Sequence, residues 1–486
     1  MTGAALAHRR GFARAGYPVR TARRRQEGIA ILAAVALLAL AIGAGLVAFL
    51  SEIARETQRQ KNTARVLALA KEALIGYAAG VDLAAGASRP GDLPCPDLTN
   101  DGIAESSCGN AAGTTGQANR LGRLPWRTLG LEDLRDASGE RLWYAVSNNF
   151  KNNTRTTCVA AGDPGCLNSD ARGTITVRLA DGTIVHDGTN PNPFVPSGAI
   201  ALVLAPGSVL QRQGAAALQD RSGAGVNGAV NYLDLGNGED NAVFADSATD
   251  GFLNGPVYDA GGAILVNDRV LAITYDDLMP LLERRGGGEV AQCLTAYAAQ
   301  SQNNGRYPWA TAMGASAAGD YSDAVNARFG RIPDGPLDDT SGGTFGALFA
   351  AAVCPFLPAT CMEANWPGPP NCAITSGTWW LNWKDQVLYG VATQYQPIWP
   401  TTPPAACGGA CLSINPPSAA ADKQFVVIVA GRRLSGVAGG QPRATVAEKS
   451  TAANYVEGEN DWVTTPSDTF TQQPVGAALN DRLRFR

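Results

Sequence analysis

Histidine is nearly missing from this chain, with two residues among 486, His8 and His186. That scarcity removes most chemistry built on imidazole, including Ser-His and Cys-His nucleophile pairs and histidine-rich zinc sites. No G-x-S-x-G, H-E-x-x-H or Walker A stretch occurs, so the sequence encodes no nucleophile elbow, zincin helix or phosphate loop. Basic residues are unevenly spread: seven arginines (Arg9, Arg10, Arg14, Arg20, Arg23, Arg24 and Arg25) precede Gly28 against one acid, Glu27, yet the whole chain has a formal charge of −4. The acidic remainder argues against a nucleic acid partner, because phosphate binding needs a basic face. Acid pairs such as Glu239-Asp240 and Glu459-Asn460-Asp461 lie in glycine-rich stretches and read as structural turns, with cation binding as the alternative. The chain reads as non-enzymatic.

Charge is absent altogether from Ile29 to Leu50. At ~1.5 Å of rise per residue this run makes about 33 Å of helix, enough for a bilayer core of ~30 Å. The arginine-rich flank keeps the N-terminus cytoplasmic, so everything after Leu50 is expected across the membrane. Ten cysteines, several closely paired, suit an oxidising compartment such as a bacterial periplasm. A cleaved secretory signal would have a shorter apolar core followed by a small-residue cleavage site, and neither is found.

The polar residues and the glycine stand before the apolar run, in the order RRRQEG and then IAILAAVALLALAIGAGLVAFL. This arrangement resembles the leader of a type IV prepilin or type II secretion pseudopilin. The resemblance implies cleavage by a prepilin peptidase after Gly28 and methylation of the new N-terminus, Ile29. It departs at the fifth mature position, a filament-contact position where most of the family has glutamate and this chain has Ala33. That departure fits a minor pseudopilin at a filament tip. The alternative for this segment is an uncleaved signal anchor.

Past Leu50, good helix formers continue without proline, and Leu67, Ala70, Leu74, Tyr77 and Ala78 recur at helical spacing. The helix is expected to run on to about Ala79, its upper part packing on a head. The stretches LIGYAA (from Leu74), LPCPD (from Leu93), GRLPWRTLGL (from Gly122) and RLWYAVS (Arg141–Ser147) are similar to the ectodomain of proteobacterial prepilin-like proteins. Strands are expected at Arg141–Ser147, Thr174–Leu179 and Thr183–His186 (a hairpin about Asp181-Gly182), Ala199–Leu204 and Val270–Tyr275, with mostly loop over Gln211–Thr249. A helix follows at Asp276, capped by Asp276 or Asp277. Asp97, Thr99 and Asp101 before Gly102 echo half a calcium loop, but the twelfth position is Cys108, and an Asx-rich turn is the competing reading.

Six stretches recur in the same order. ALIGYAA (from Ala73) returns as CLTAYAA (from Cys293), GDLPCP (from Gly91) as GRYPWA (from Gly305), and RLWYAVS as QVLYGVAT (from Gln386). IALVLAPG (from Ile200) returns as FVVIVAGR (from Phe425), Asn231-Tyr232 with GNGEDN as Asn454-Tyr455 with EGEND, and Asn267-Asp268-Arg269 as Asn480-Asp481-Arg482. The fold expected is therefore α+β: a leader over 1–28, a transmembrane helix over 29–50 serving as a pilin-like spine, and two tandem pilin-like helix-plus-antiparallel-sheet modules over 51–275 and 276–486. The second helix carries Gly286-Gly287-Gly288, where a kink or hinge is expected.

The cysteine spacing suggests bridges Cys95–Cys108, Cys158–Cys166 and Cys407–Cys411, with Cys293 tied to the loop holding Cys354, Cys361 and Cys372. Trp379, Trp380 and Trp383 read as core, or as a binding surface. The expected protein is a membrane-anchored minor pseudopilin of a type IV pilus or type II secretion system, in the bacterial inner membrane with its head periplasmic and possible assembly into a filament. Its partners would be the prepilin peptidase and other pilins or pseudopilins. No cofactor is expected apart from calcium at Asp97, Thr99 and Asp101. The rival is an uncleaved, signal-anchored periplasmic binding or adhesion protein.

Overall fold

The computed structural model describes residues 23–83, 89–108, 120–151, 166–190, 192, 194–195, 197–244, 251–315, 321–335, 337, 352–357, 360–375, 379–416, 418–435, 440–463, 467–476 and 478–486. The chain is α+β, with one long apolar N-terminal helix, several small sheets and disulfide bonds. It divides into two compact units, Met1–Asn62 and Thr63–Arg486, so the boundary read at 275/276 lies inside the second.

Helix α1 spans Arg23–Gly80, 58 residues with no proline to interrupt the hydrogen-bond ladder. Its last turns bury Leu67, Ala70, Leu74, Ile75 and Ala78, one stripe at helical spacing. Helix α2 spans Tyr275–Ala298. Its cap is Thr274 and not Asp276 or Asp277: Asp277 sits at the third helical position, and its Oδ2 accepts from the Thr274 backbone N–H and hydroxyl, 2.7 Å each. The triple glycine does not break α2. A Cβ at Gly287 would lie 3.0 Å from Val429 Cγ2 and 3.2 Å from Arg484 Cγ, so the bare backbone lets the helix rest directly on two strands. That packing outweighs a helix-propensity cost of ~1 kcal/mol per glycine.

In the first half, strands Leu121–Arg123, Trp143–Val146, Ala201–Ala205 and Arg269–Ile273 form an antiparallel sheet in that order. In the second half, Phe329–Arg331, Val387–Val391, Phe425–Val429 and Arg482–Phe485 do the same. Each sheet is accompanied by a three-stranded one with an antiparallel and a parallel pairing. The first runs Ile184–His186, Val177–Leu179, Phe252–Asn254, and the second Ser418–Lys423, Leu412–Ile414, Thr469–Phe470. Strands are shorter than the sequence suggests: Arg141–Ser147 narrows to Trp143–Val146, and Val270–Tyr275 becomes Arg269–Ile273.

The central strands are buried on both faces, which is why they read as continuous apolar runs. Ala201, Val203 and Ala205 face one core while Leu202 and Leu204 face another. Phe425, Val427 and Val429 join the same first core, with Val426 and Ile428 on the opposite face. That first core gathers the last turns of α1, all of α2 and the inner face of both four-stranded sheets, so the two halves share one apolar interior. Trp379, Trp380 and Trp383 belong to it, each 2% exposed or less, which assigns them to packing and not to a surface. Cys95 bonds Cys108, Cys407 bonds Cys411, Cys354 bonds Cys361, and Cys293 on α2 bonds Cys372. Cys166 is also disulfide-bonded, while Cys158 lies outside the described residues.

A polar clasp crosses between the halves. Asn382 Oδ1 accepts from Arg89 Nη1 and from the Leu167 backbone N–H, at 3.2 and 3.0 Å. Asp170, buried, accepts from Arg443 Nη1 at 3.2 Å and from Gln386 Nε2 at 2.9 Å. In the first half, Arg221 pairs with the carboxylate of Glu140 at 3.1 Å. Arg443 instead meets the neutral Gln386 at 2.9 Å, and Asp170 of the first half supplies the carboxylate. Removing that carboxylate takes the direct charge partner from a fully buried guanidinium, which keeps only neutral hydrogen-bond acceptors at Gln386, Gly431, Gln441 and Asn454. Asp170→Ala is therefore expected to lower stability by about 3–5 kcal/mol, and Glu140→Ala, at a more exposed pair, by about 1 kcal/mol, as read from urea denaturation midpoints.

Candidate functional site

Two features of α1 stand out. From Ala30 to Leu50 every side chain is exposed, including Ile31, Leu32, Leu37, Leu38, Leu40, Ile42 and Phe49. This stretch is long and apolar enough to cross a membrane. Glu52–Asn62 is exposed and polar, laced by i,i+4 pairs such as Gln60 Nε2 to Glu56 Oε1 at 3.1 Å. Gly28 and Ile29 lie within the first turns of α1, their side chains outside the described residues, and Ala33 is exposed.

The second feature lies where the end of α1 meets α2 and the sheet. Lys71 occupies a position of the buried stripe, between Leu67 and Leu74, so its ammonium needs a partner. It donates to Asp277 Oδ2 at 2.8 Å and to the Ala272 carbonyl at 3.0 Å. Arg285 of α2 donates to the carbonyls of Ala79 and Val81, closing the C-terminal end of α1, where carbonyls lack helical partners. Beside the Lys71–Asp277 pair opens a cleft of about 380 Å³, walled by Val177, Val185 and Leu271 and edged by His186, Asn254 and Thr274. Burial pushes the His186 imidazole below its ordinary value; Asp277 pulls it up and Lys71 pushes it down. Despite burial, Asp277 is held below the usual carboxylate range by hydrogen bonds from Lys71 and Thr274 and by the Lys71 charge. The cleft thus presents a neutral imidazole, a compensated ion pair and apolar walls.

Asp97, Thr99 and Asp101 form a turn closed on itself. Asp97 Oδ1 accepts from the backbone N–H of Thr99 at 3.0 Å and Asn100 at 2.6 Å, and Oδ2 from that of Gly102 at 2.7 Å. Among the described residues no group of three or more His, Cys, Asp or Glu is placed to hold a metal ion. The acid pairs are engaged structurally: Glu239 with Arg178 at 2.8 Å, Asp240 with Arg212, and Glu459 with the Thr471 hydroxyl at 2.8 Å.

Sequence reading missed the Lys71–Asp277 pair, although a lysine on an apolar helical stripe was the visible signal for it. It also missed Asp170, Asn382 and Arg443, whose partners lie more than 200 residues away in the chain. Lys71→Met is expected to lower stability by about 1–2 kcal/mol at neutral pH. Asp277 has a depressed folded pKa, so its contribution is present above its unfolded value and is lost as pH falls. Urea midpoints of variant and wild type should therefore converge below about pH 4. No family model, curated protein or solved structure matches this chain.

Proposed function

We propose that this chain is a non-enzymatic, membrane-anchored prepilin-like subunit, a minor pseudopilin of a type IV pilus or type II secretion system. It is cut after Gly28 and methylated at Ile29 in a bacterial inner membrane. Its head faces the periplasm as two tandem pilin-like modules, each a helix with an antiparallel sheet. The observation that carries the reading is the uninterrupted helix α1, whose apolar stretch after Gly28 is bare while its last turns are buried. Such a helix serves first as a lipid anchor and then as a packing rod among neighbouring subunits. The equal strand order of the two four-stranded sheets supports the tandem design. Ala33 in place of the family's glutamate favours a tip position over repeated incorporation.

A second reading, an uncleaved signal-anchored binding or adhesion protein of the periplasm, is favoured by the cleft beside Lys71 and His186. Mass spectrometry of the mature N-terminus separates the two. The pilin reading expects a methylated Ile29 start in cells with active prepilin peptidase, and a retained arginine leader overturns it. In the same cells, Ala33→Cys is expected to crosslink to cysteines placed near the N-termini of neighbouring pilins, with no crosslink in cells lacking them.

A further inference from the structure

One buried arrangement of side chains occurs twice, at places the cleft and the membrane helix do not involve. In the first half, Asp268 Oδ2 accepts from the Asp234 backbone N–H and from Asn241 Nδ2, both at 2.8 Å. In the second, Asp481 Oδ2 accepts from the Glu457 backbone N–H at 3.1 Å and from Asn460 Nδ2 at 2.9 Å. Each amide also bridges to a strand or its flank: Asn241 exchanges two hydrogen bonds with Leu253, and Asn460 does so with Thr471, just past the strand Thr469–Phe470. The neighbouring acids are fixed alike, Asp234 by the Asn267 N–H at 2.8 Å and Glu457 by the Asn480 N–H at 3.0 Å.

In both copies the other carboxyl oxygen, Oδ1 of Asp268 and of Asp481, is buried without a hydrogen-bond partner among the described residues. Leaving an ionised carboxylate so would cost several kcal/mol, and a second carboxylate stands next to each.

We propose that Asp268 and Asp481 are held as neutral carboxylic acids, each carrying its proton on the unpartnered Oδ1 beside an acidic neighbour, and that this twinned proton latch makes the head pH-sensitive. Burial, and then the charge of Asp234, pushes Asp268 well above the ordinary range; burial, and then Glu457, does the same to Asp481. Asp234 itself is pushed up to about 6 by burial. Arg221 faces the first pair and Arg443 the second, each opposing the shift without cancelling it. A carboxyl with a raised folded pKa stabilises the fold fully below its unfolded value, near 4, and that contribution is lost as pH rises through the folded value. The head is therefore tightest in mild acid and loosens on alkalinisation.

The test uses the full chain in detergent, with urea denaturation at about pH 5 and about pH 8. Wild type should lose on the order of tenfold or more in folding constant between the two, one decade per unit of raised pKa. Asp268→Asn with Asp481→Asn places an amide donor where the acid hydrogen sits, and should match wild type at the lower pH while keeping its stability at the higher. A double variant that retains the wild-type pH slope overturns the proposal. Infrared spectroscopy of the wild type gives a readout that survives failure of the variants to fold. A protonated carboxylic acid band persisting near pH 7 is expected, and its absence overturns the latch.

Discussion

The rest of the molecule depends on keeping one helix half bare and half covered. Eleven large apolar side chains between Ile31 and Leu50 project from α1 with about half or more of their surface exposed. At ~1.5–3 kcal/mol for each such side chain left in water, the penalty is on the order of 20 kcal/mol. That exceeds the ~5–15 kcal/mol by which an ordinary domain is stable. The segment is long and apolar enough to cross a membrane. The turns from Leu67 onward are satisfied by the chain's own core. Between them, the exposed polar residues Glu52–Asn62 belong in water.

The second constraint is that the two halves share an interior. Inner-face residues of both four-stranded sheets join one apolar core with the last turns of α1 and with α2, and the bare backbone at Gly287 lets α2 lie close against the second sheet. Hydrophobic contact alone would allow the halves to slide. The buried polar contacts of Asn382 with Arg89 and Leu167, and of Asp170 with Arg443 and Gln386, fix one register, since any shift leaves charges or amides unpaired in the dry interior.

Much of this was legible in the chain. The uncharged run after Gly28, the stripe from Leu67 to Ala78 and the apolar runs at Ala201 and Phe425 follow from periodicity, and the structure builds a helix and two central strands there. Less legible were features decided by distant partners. Thr274, not an aspartate, caps α2 because Asp277 turns back to it and to Lys71, a residue on another helix. The glycines of α2 look like a hinge locally and become a contact surface only once a strand arrives beside them. The tryptophans after Thr378 could have faced solvent or core by composition, and burial decides it. The head's polar clasp has no local pattern at all, because a carboxylate and its guanidinium separated by 273 residues leave no periodicity to read.

That separation sets a timetable. Asp170 leaves the ribosome and meets its surroundings long before Arg443 exists, and at ~5–20 residues per second the interval is roughly 14–55 s. For that period the first half carries a buried acid that has Arg172 nearby but lacks Arg433 and Arg443, beside an apolar face with nothing yet laid upon it. Completion of the early half is thereby deferred until nearly the last of the polypeptide has emerged. A chain cut short during synthesis leaves a visibly unfinished product, open to chaperones and proteases before it can join anything else.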